Sequence, residues 1–368
     1  DEGDMTLIGF VAFLDPPKES AAPALAALEG HGIKVKILTG DNDIVARRIC
    51  RDVNLRIEGE LLGSDLDNMP DDVLDQKVEQ TTLFSKLSPA QKARVIAALH
   101  RNGHVVGFLG DGINDGPALK AADVGVSVDT AADIAKESAD IILLEKSLMV
   151  LEEGVLEGRK IFGNISKYIK MGASSNFGNM FSVLGASALL PFLPMLPVQV
   201  LTNNLLYDFS QTAIPTDNVD EDYLTEPRKW DIGHIARFMI FVGPISSIFD
   251  YATYAIMYFG FGANTIEMAP LFQTAWFVES ILTQTLIIHI IRTNKIPFIQ
   301  SRASWPLIIT TLVICAAGIA LPFSSFARGL GFVALPWTFW PVVASIICLY
   351  LVLALIVKNW FIRRFGWN

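Results

Sequence analysis

The sequence predicts an α/β domain with a parallel sheet, followed by an all-α domain of six transmembrane helices. Charged residues are concentrated in about the first 160 residues, where short apolar runs alternate with helical patterns. Beyond residue 167, six apolar runs are long enough to cross a bilayer, which takes about 20 residues. We therefore expect two domains, residues 1–160 and residues 161–368.

The composition supports a membrane protein. Hydrophobic residues make up 51% of the chain and charged residues 18%, and the mean hydropathy of +0.41 is too high for an ordinary soluble protein. The net charge of −9 argues against a nucleic-acid partner and suits a protein that handles cations.

Strand and helix patterns alternate in the first domain, which predicts a parallel sheet covered on both faces. The predicted strands are residues 7–14, 35–38, 82–84, 105–109, 124–128 and 141–144, and predicted helices include residues 20–28, 44–53 and 89–100. The acidic stretch 58–77 is expected to form an irregular surface excursion. Residues 148–170 are expected to form one helix that leaves the domain.

The predicted membrane spans are residues 169–193, 196–215, 236–262, 270–291, 304–325 and 333–357. Basic residues lie in alternate connections, which by the positive-inside rule are cytoplasmic. They are Lys167, Lys170, Arg228, Lys229, Arg237, Arg292, Lys295, Arg302, Lys358, Arg363 and Arg364. We expect the lipid bilayer as a partner and both ends of the chain on the cytoplasmic side.

Three polar clusters follow predicted strands in the α/β domain. Thr39-Gly40-Asp41 comes directly after one strand, and a Thr hydroxyl there can donate to a phosphoryl oxygen. Lys92 lies in the first turn of a predicted helix, where an ammonium can neutralise a phosphorylated side chain. Residues 110–115, Gly-Asp-Gly-Ile-Asn-Asp, follow a third strand and place a carboxylate suited to Mg²⁺ on a glycine-flexed turn.

Each cluster also has a purely structural explanation. Thr-Gly-Asp is a common turn before a helix, a Lys in a first helical turn is usually solvated, and Gly-Asp-Gly occurs in hairpins. All three clusters nevertheless fall at the same predicted edge of one sheet, where open α/β sheets bind ligands. Their joint placement favours a phosphoryl-transfer site.

Polar residues inside the predicted spans are candidates for an ion pathway, because such groups are costly in a membrane. Asn176 and Asn179 share a helix face at i, i+3, and Asn204 and Asp208 share one at i, i+4. Asp250 and Glu279 are further acids at membrane depth, and a buried structural role is an open alternative for each. The acidic loop 216–230 has three possible roles: it contacts the α/β domain, it gathers cations, or it is a solvated connector.

These motifs closely resemble, in order, the phosphorylation domain of the P-type ATPases, which belong to the haloacid-dehalogenase-like superfamily. The resemblance rests on Asp15-Pro16-Pro17-Lys18, Thr39-Gly40-Asp41, Lys92 in its Pro-Ala-Gln-Lys setting, and residues 110–115 followed by Pro117-Ala118-Leu119. It extends into the membrane half, since the family continues into six carboxy-terminal helices. It implies a haloacid-dehalogenase-like, Rossmann-like fold for residues 1–160, and helices five to ten of a pump for residues 161–368.

The resemblance also implies roles for single residues. Thr39 and Lys92 would contact an aspartyl phosphate within the catalytic set that includes Gly40 and Asp41. Asp111 would coordinate catalytic Mg²⁺, with Asn114 and Asp115 supporting that site and Asp115 close to the ion. The transported ion would bind Asn176, Asn179, Asn204, Asp208 and Glu279.

One departure from the family pattern concerns the nucleophile. The Asp-Lys-Thr-Gly-Thr motif that carries the phosphate does not occur in this sequence, nor does the Thr-Gly-Glu actuator loop. The resemblance therefore implies a carboxy-terminal portion of a pump, partnered by a missing amino-terminal part that binds ATP. This chain alone is expected to be inactive.

The detailed sequence, including residues 123–145 and 163–171, looks most similar to bacterial magnesium-transporting ATPases of the Mgt type. That resemblance implies Mg²⁺ import across the bacterial inner membrane. Two alternatives stay open: a pump for another cation such as Ca²⁺, and a non-catalytic membrane scaffold or regulatory fragment.

Overall fold

The computed structural model describes residue 6 and residues 8–9, 17–145 and 147–367. Its contacts divide the chain into two units, Asp1–Leu156 and Glu157–Asn368. The predicted first strand, residues 7–14, and Asp15-Pro16 lie largely outside the described residues. The remaining predictions can be compared with the structure.

The first unit alternates strands and helices, as predicted. Its strands are β1 Ile37–Leu38, β2 Glu60–Leu62, β3 Leu83–Ser85, β4 Gly107–Leu109, β5 Val124–Val128 and β6 Ile141–Leu143. Its helices are α1 Ala21–Gly30, α2 Asp43–Asp52, α3 Gly63–Asp67, α4 Asp71–Gln80, α5 Pro89–Arg101, α6 Gly116–Ala121 and α7 Asp133–Ser138. The observed strands are shorter than the apolar runs that predicted them.

The strands form two parallel three-stranded sheets, with the orders β1-β3-β2 and β4-β5-β6. Each sheet has its own cluster of buried apolar side chains, and Leu38 and Val106 pack against both clusters. The prediction of a parallel α/β fold is therefore confirmed, but the expectation of one sheet is wrong, because β1 and β3 lie in one sheet and β4 lies in the other. Because parallel strands share their carboxyl ends, the loops after β1, β3 and β4 are the places for polar chemistry.

Local sequence signals set the start of the helix that carries Lys92. The Ser88 hydroxyl accepts from the Gln91 amide at 3.3 Å, and Gln91 Oε1 accepts from the Ser88 amide at 2.8 Å. Pro89 occupies the first turn, where its missing N–H costs nothing. This capping box fixes where α5 begins.

The expectation of an irregular excursion at residues 58–77 is wrong. This stretch contains β2, α3 and most of α4, and its residues Leu66 and Leu74 have no exposed surface. Asp65, Asp67, Asp71 and Asp72 face solvent on the other side of these helices. The acidic residues of this stretch therefore lie on the solvent-exposed side of an ordered segment.

The second unit is helical. Its elements are α8 Met149–Leu189, which begins in the first unit, α9 Pro197–Gln211, α10 Glu221–Leu224, α11 Ile232–Val242, α12 Pro244–Ala255, α13 Ala269–Leu286, α14 Ile288–Ile291, α15 Trp305–Ala320 and α16 Phe339–Phe365. The predicted helix at 148–170 is thus part of the 41-residue α8. Since 94% of the apolar window around α13 is buried, this helix lies at the centre of the unit.

Four helical segments in the described part are long and apolar enough to cross a membrane. They are Ile232–Gly260, Ile266–Ile291, Trp305–Phe323 and Phe339–Phe365, and they correspond to the last four predicted spans. The first two predicted spans are helical, as the end of α8 and as α9, but α9 has only 15 residues. That these two cross the bilayer stays a prediction.

Candidate functional site

The loop after β1 holds Thr39 and Asp41 in a closed turn. The Thr39 hydroxyl donates to Asp41 Oδ2 at 3.0 Å and accepts from the Asp41 amide at 3.1 Å. The backbone of this turn is tied to the end of β3, because Lys86 N donates to Asp41 O and Leu87 N donates to Thr39 O. These hydrogen bonds hold the backbone of the turn in place. Gly40 and Asp41 are exposed, so the turn is open to a ligand.

Lys92 and Asp115 form a buried ion pair. Lys92 Nζ donates to Asp115 Oδ1 at 2.7 Å, and both residues are buried. The second carboxylate oxygen, Oδ2, accepts from the Gly112 amide at 3.0 Å. Asp115 therefore fixes the ammonium at the start of α5 and also closes the loop that carries Asp111. The sequence grouped these residues, but it did not predict that they pair.

Gly110 allows the loop after β4 to fold back on itself. A Cβ atom at this position would lie 2.7 Å from the Cβ of Asp115. The Gly110 carbonyl accepts from the buried Ser127 hydroxyl at 2.9 Å. A larger residue at position 110 would clash with the Asp115 side chain, so the loop requires glycine there. The loop also depends on Ser127, which was not predicted from the sequence.

Asp111 has the environment of a ligand for a hard cation. It is exposed, and it forms no ion pair within the described residues. Its backbone is anchored, since its carbonyl accepts from Ala132 N at 3.1 Å. A carboxylate without a basic partner on an anchored loop fits Mg²⁺, which keeps several waters and takes one or two protein carboxylates. Asn114 is exposed beside it.

A basic side chain also lies beside the turn that carries Thr39. Lys86 Nζ is 3.2 Å from Asp43 Oδ1, and Lys86 follows directly after β3. The hydrogen bond from Lys86 lowers the pKa of Asp43, with smaller support from Arg47. Among the charged phosphoryl-site candidates, Lys92 and Asp115 therefore pair with each other, whereas Asp41 and Asp111 form no ion pair within the described residues.

The candidate ion ligands of the helical unit lie in different environments. Asn176, Asn204 and Asp208 are exposed, and Asn179 is half-buried with Oδ1 accepting from Gln284 Nε2 at 3.4 Å. Glu279, in contrast, has no exposed surface. The sequence treated these residues as one set, but the structure separates an exposed face from an enclosed acid.

Asp208 opens into a cavity of about 350 Å³ between α8 and α9. Tyr168 and Gln211 line it, together with the apolar side chains Ile161, Ile165 and Ile214. A carboxylate beside apolar walls has few groups that can balance its charge, so a cation bound in this cavity would stabilise it.

A buried hub centred on Asp217 was not predicted. Asp217 Oδ2 accepts from Lys167 Nζ and from Arg292 Nε, both at 2.8 Å, and Oδ1 accepts from the Ser304 amide at 3.0 Å. Burial opposes ionisation of Asp217, but Lys167 and Arg292 outweigh it and lower its pKa. The expectation of a solvated connector at residues 216–230 is therefore wrong at Asp217.

Several basic residues that were assigned to the membrane surface are also buried. Lys167, Lys170, Arg292 and Lys358 each have less than a tenth of their surface exposed. Lys358 Nζ donates to the carbonyls of Ile290, Thr293 and Lys295. These charges hold helices and loops together, so they carry less information about orientation than the sequence indicated.

Comparisons with known proteins match both halves of the chain. A family model described as cation transporting ATPase, C-terminus, matches residues 192–360, and one described as haloacid dehalogenase-like hydrolase matches residues 2–123. The chain is 58% identical over its whole length to the magnesium-transporting ATPase, P-type 1, of Escherichia coli K12, and 57% identical to the protein of the same name in Salmonella typhimurium LT2. It spans 41% of the length of each.

Other, more distant relatives are named as calcium-transporting ATPases. The chain is 34% identical over 241 residues to a calcium-transporting ATPase of Bacillus subtilis, which covers 64% of this chain and 27% of that protein. The match to the magnesium-transporting proteins is both longer and closer.

Proposed function

Because this chain belongs to the P-type ATPase family and resembles its carboxy-terminal portion, we propose that it serves an ATP-driven pump that imports Mg²⁺ across the bacterial inner membrane. The 58% identity to a magnesium-transporting ATPase supports Mg²⁺ over Ca²⁺, for which the relatives are more distant. Both ends of the chain would lie on the cytoplasmic side, with the helical unit in the lipid bilayer.

The single observation that carries the catalytic proposal is the buried Lys92–Asp115 pair beside the exposed Asp111. Fixed positive charge is useful where negative charge develops during phosphoryl transfer, because no reorganisation is needed at that moment. Asp115 fixes the Lys92 ammonium, and Asp111 would hold Mg²⁺, which would neutralise phosphoryl oxygens. The Thr39 hydroxyl would donate to the same group from the neighbouring loop.

The phosphoryl group itself would be carried by an aspartate of the full-length protein that is not in this sequence, which has no Asp-Lys-Thr-Gly-Thr motif. This chain by itself would therefore not form a phosphoenzyme. Incubation of the isolated chain with ATP and Mg²⁺ tests this point. Acid-stable phosphorylation would contradict it.

The ion pathway would run along the exposed face of α8 and α9 that carries Asn176, Asn204 and Asp208. A charged side chain turned towards lipid is costly, so this face needs a cover of protein or a cavity. Membrane helices from the rest of the full-length protein would supply that cover and complete the ligand shell. Asn179, half-buried nearby, would contribute its amide oxygen.

The proposed function can be tested with the full-length protein in sealed vesicles. We expect ATP-driven Mg²⁺ flux towards the nucleotide side, and we expect Asp208→Asn to abolish it while the protein remains expressed and folded. Asp222→Asn, on an exposed acid of the short helix α10, is the matched control. Ca²⁺ flux without Mg²⁺ flux, or normal Mg²⁺ flux in Asp208→Asn, would contradict the assignment.

A further inference from the structure

An exposed apolar tip lies in the loop between Ile266–Ile291 and Trp305–Phe323, two segments that are long and apolar enough to cross a membrane. Phe298 is 57% exposed and Ile299 is 82% exposed, and Ile296 is exposed as well. Exposed apolar side chains are expected on the spans themselves, which face lipid, but these three lie outside them. A run of exposed apolar side chains in a loop marks a surface that binds protein or membrane.

Hydrogen bonds within the tip hold it in one conformation. The Ile296 amide donates to Gln300 Oε1, the Gln300 amide donates to the Ile296 carbonyl, and the Phe298 amide donates to the Ser301 carbonyl, each at 3.0 Å. The Ser301 hydroxyl in turn donates to Asp220 Oδ1 at 2.7 Å. The apolar side chains are therefore presented by an ordered backbone.

Phe298 has an unusual backbone conformation. Its φ angle is +64°, in the left-handed region that bulky residues rarely adopt because the Cβ atom crowds the backbone. Such a conformation costs free energy and persists where the surrounding contacts enforce it. The chain carries a phenylalanine where glycine or asparagine would fit with less strain, which points to a use for the aromatic side chain.

Two contacts place Phe298 beside the ends of the spans. Its ring centre lies 5.1 Å from that of His289, which is in the last turn of Ile266–Ile291. His289 Nε2 lies 3.1 Å from the hydroxyl oxygen of Thr311, which is six residues into Trp305–Phe323. Six helical residues correspond to about 9 Å along the helix axis. The tip therefore folds back alongside the spans and does not extend away from them.

The two ends of the loop lie at a similar depth. Lys358 Nζ donates to the carbonyls of Thr293 and Lys295, both at 3.1 Å. Lys358 is seven residues before the end of the segment Phe339–Phe365, which is about 10 Å along the axis. At the other end of the loop, Trp305 is 74% exposed, and Trp is enriched where spans meet the lipid headgroups. The whole loop is thus at the level where the spans leave the hydrocarbon.

We propose that residues 296–300 form a membrane anchor, which inserts Phe298 and Ile299 between the lipid headgroups and the acyl chains. Apolar side chains of such anchors are buried about 5–10 Å into this boundary. The depth of the tip favours lipid over a protein partner, because lipid surrounds the ends of the spans. The hydrogen bonds within the tip suit this position, since backbone groups that leave water must be satisfied elsewhere.

The anchor also ties the Asp217 hub to the bilayer. Arg292 donates to Asp217 Oδ2 at 2.8 Å and to the Ser301 hydroxyl at 3.1 Å, and Ser301 directly follows the tip. The hub therefore has a fixed depth at the membrane surface. This inference goes beyond the proposed function, because it depends on the spans and not on which ion is transported.

A fluorescent label on the tip tests the anchor. In the full-length protein, Ile299→Cys is labelled with the environment-sensitive dye NBD and reconstituted into phosphatidylcholine vesicles. Labelled wild type gives the background from native cysteines, which is subtracted. We expect NBD emission at a shorter wavelength than in water. We also expect a larger loss of emission with lipids that carry a nitroxide near the glycerol end of the acyl chain than with lipids that carry it near the methyl end.

Asp222→Cys, labelled in the same way, is the matched control. Its side chain is 68% exposed, and the Asp222 carboxylate lies 3.5 Å from the Lys295 ammonium at the base of the loop. This label should emit at a longer wavelength and be quenched far less by either lipid. An unfolding temperature equal to that of wild type shows that each labelled protein is folded. Phe298→Cys is the second labelling position and should give the same result as Ile299→Cys.

Two results would overturn the anchor. In one, the label on the tip behaves like the label at position 222, which would place the tip in water. In the other, its emission is shifted but neither nitroxide lipid quenches it, which would mean that protein covers the tip. ATP-driven Mg²⁺ flux in the same vesicles is a separate readout. Its absence would count against the proposed function and would leave the result for the anchor unchanged.

Discussion

Asp217 and Glu279 are both buried acids of the helical unit, but they have opposite surroundings. Asp217 accepts from two basic side chains and one backbone amide. Glu279 has no hydrogen-bond partner for either oxygen within the described residues. A buried acid surrounded by donors is already neutralised and holds the fold together, whereas one without donors has capacity for a cation. The difference separates structural acids from ligand candidates.

The α/β unit shows the same contrast at its sheet edge. Asp115 is buried and paired with Lys92, while Asp111, four residues earlier, is exposed and forms no ion pair in the described part of the chain. We infer that Asp115 shapes the loop and Asp111 is free for Mg²⁺. Variants of the partnered acids and of their partners test this distinction.

The largest effect is expected at the centre of the Asp217 hub. Asp217→Ala leaves Lys167 and Arg292 buried without their carboxylate, and removal of one partner of a buried ion pair costs about 3–5 kcal/mol. We expect a clear fall in the unfolding temperature of the full-length protein in detergent.

Asp222→Ala is the control for that variant, because the Asp222 side chain is 68% exposed and lies 3.5 Å from Lys295. It should change stability by no more than about 1 kcal/mol. Equal stability of Asp217→Ala and Asp222→Ala would show that the hub does not hold the fold.

The second largest effect is expected at Lys92, and it concerns the rate of ATP hydrolysis rather than stability. Lys92→Met removes the buried ammonium at the start of α5, and loss of one fixed electrostatic group typically slows the chemical step about 10²–10³-fold. The measurement is the rate of ATP hydrolysis by the full-length protein. Lys120→Met, on an exposed lysine of α6, should retain normal turnover. A Lys92→Met protein with normal turnover would remove Lys92 from the catalytic site.

The smallest effect is expected at Ser127. Ser127→Ala leaves the Gly110 carbonyl without its side-chain donor, which costs about 1–3 kcal/mol for a buried group. We expect a modest fall in the unfolding temperature. Because the loop that carries Asp111 would be less well ordered, we also expect ATP hydrolysis to need a higher Mg²⁺ concentration. Thr130→Ala, on an exposed hydroxyl beyond β5, should change neither quantity. If both variants behave alike, the Ser127 bond is not what orders the loop.

The sequence predicted the parallel α/β class and the positions of the polar loops, because both depend on local order along the chain. The pairing of Lys92 with Asp115 was not predictable in this way. The two residues are 23 positions apart, and their contact depends on how α5 packs beside the loop after β4. Ser127 was missed for the same reason, since its partner Gly110 lies 17 positions away, directly after the neighbouring strand β4.

The predictions from sequence were least accurate where charged residues were expected to be exposed to solvent. Lys167 and Arg292 were assigned to the membrane surface, yet they are buried on Asp217, which lies 50 and 75 residues away from them. Composition cannot reveal such long-range compensation. The same error made residues 58–77 look irregular, because their acids face water while Leu66 and Leu74 face the core.

The most direct test of the account compares Asp208→Asn with Asp217→Asn in one assay. The full-length protein is placed in vesicles, MgATP is held constant on one side, and Mg²⁺ on the other side is varied while turnover is recorded. We predict that Asp208→Asn abolishes the turnover that depends on this Mg²⁺ without lowering the unfolding temperature. Asp217→Asn should lower the unfolding temperature and leave the half-saturating Mg²⁺ concentration unchanged. The reverse result, with Mg²⁺-dependent turnover lost or weakened in Asp217→Asn and normal in Asp208→Asn, would contradict the account.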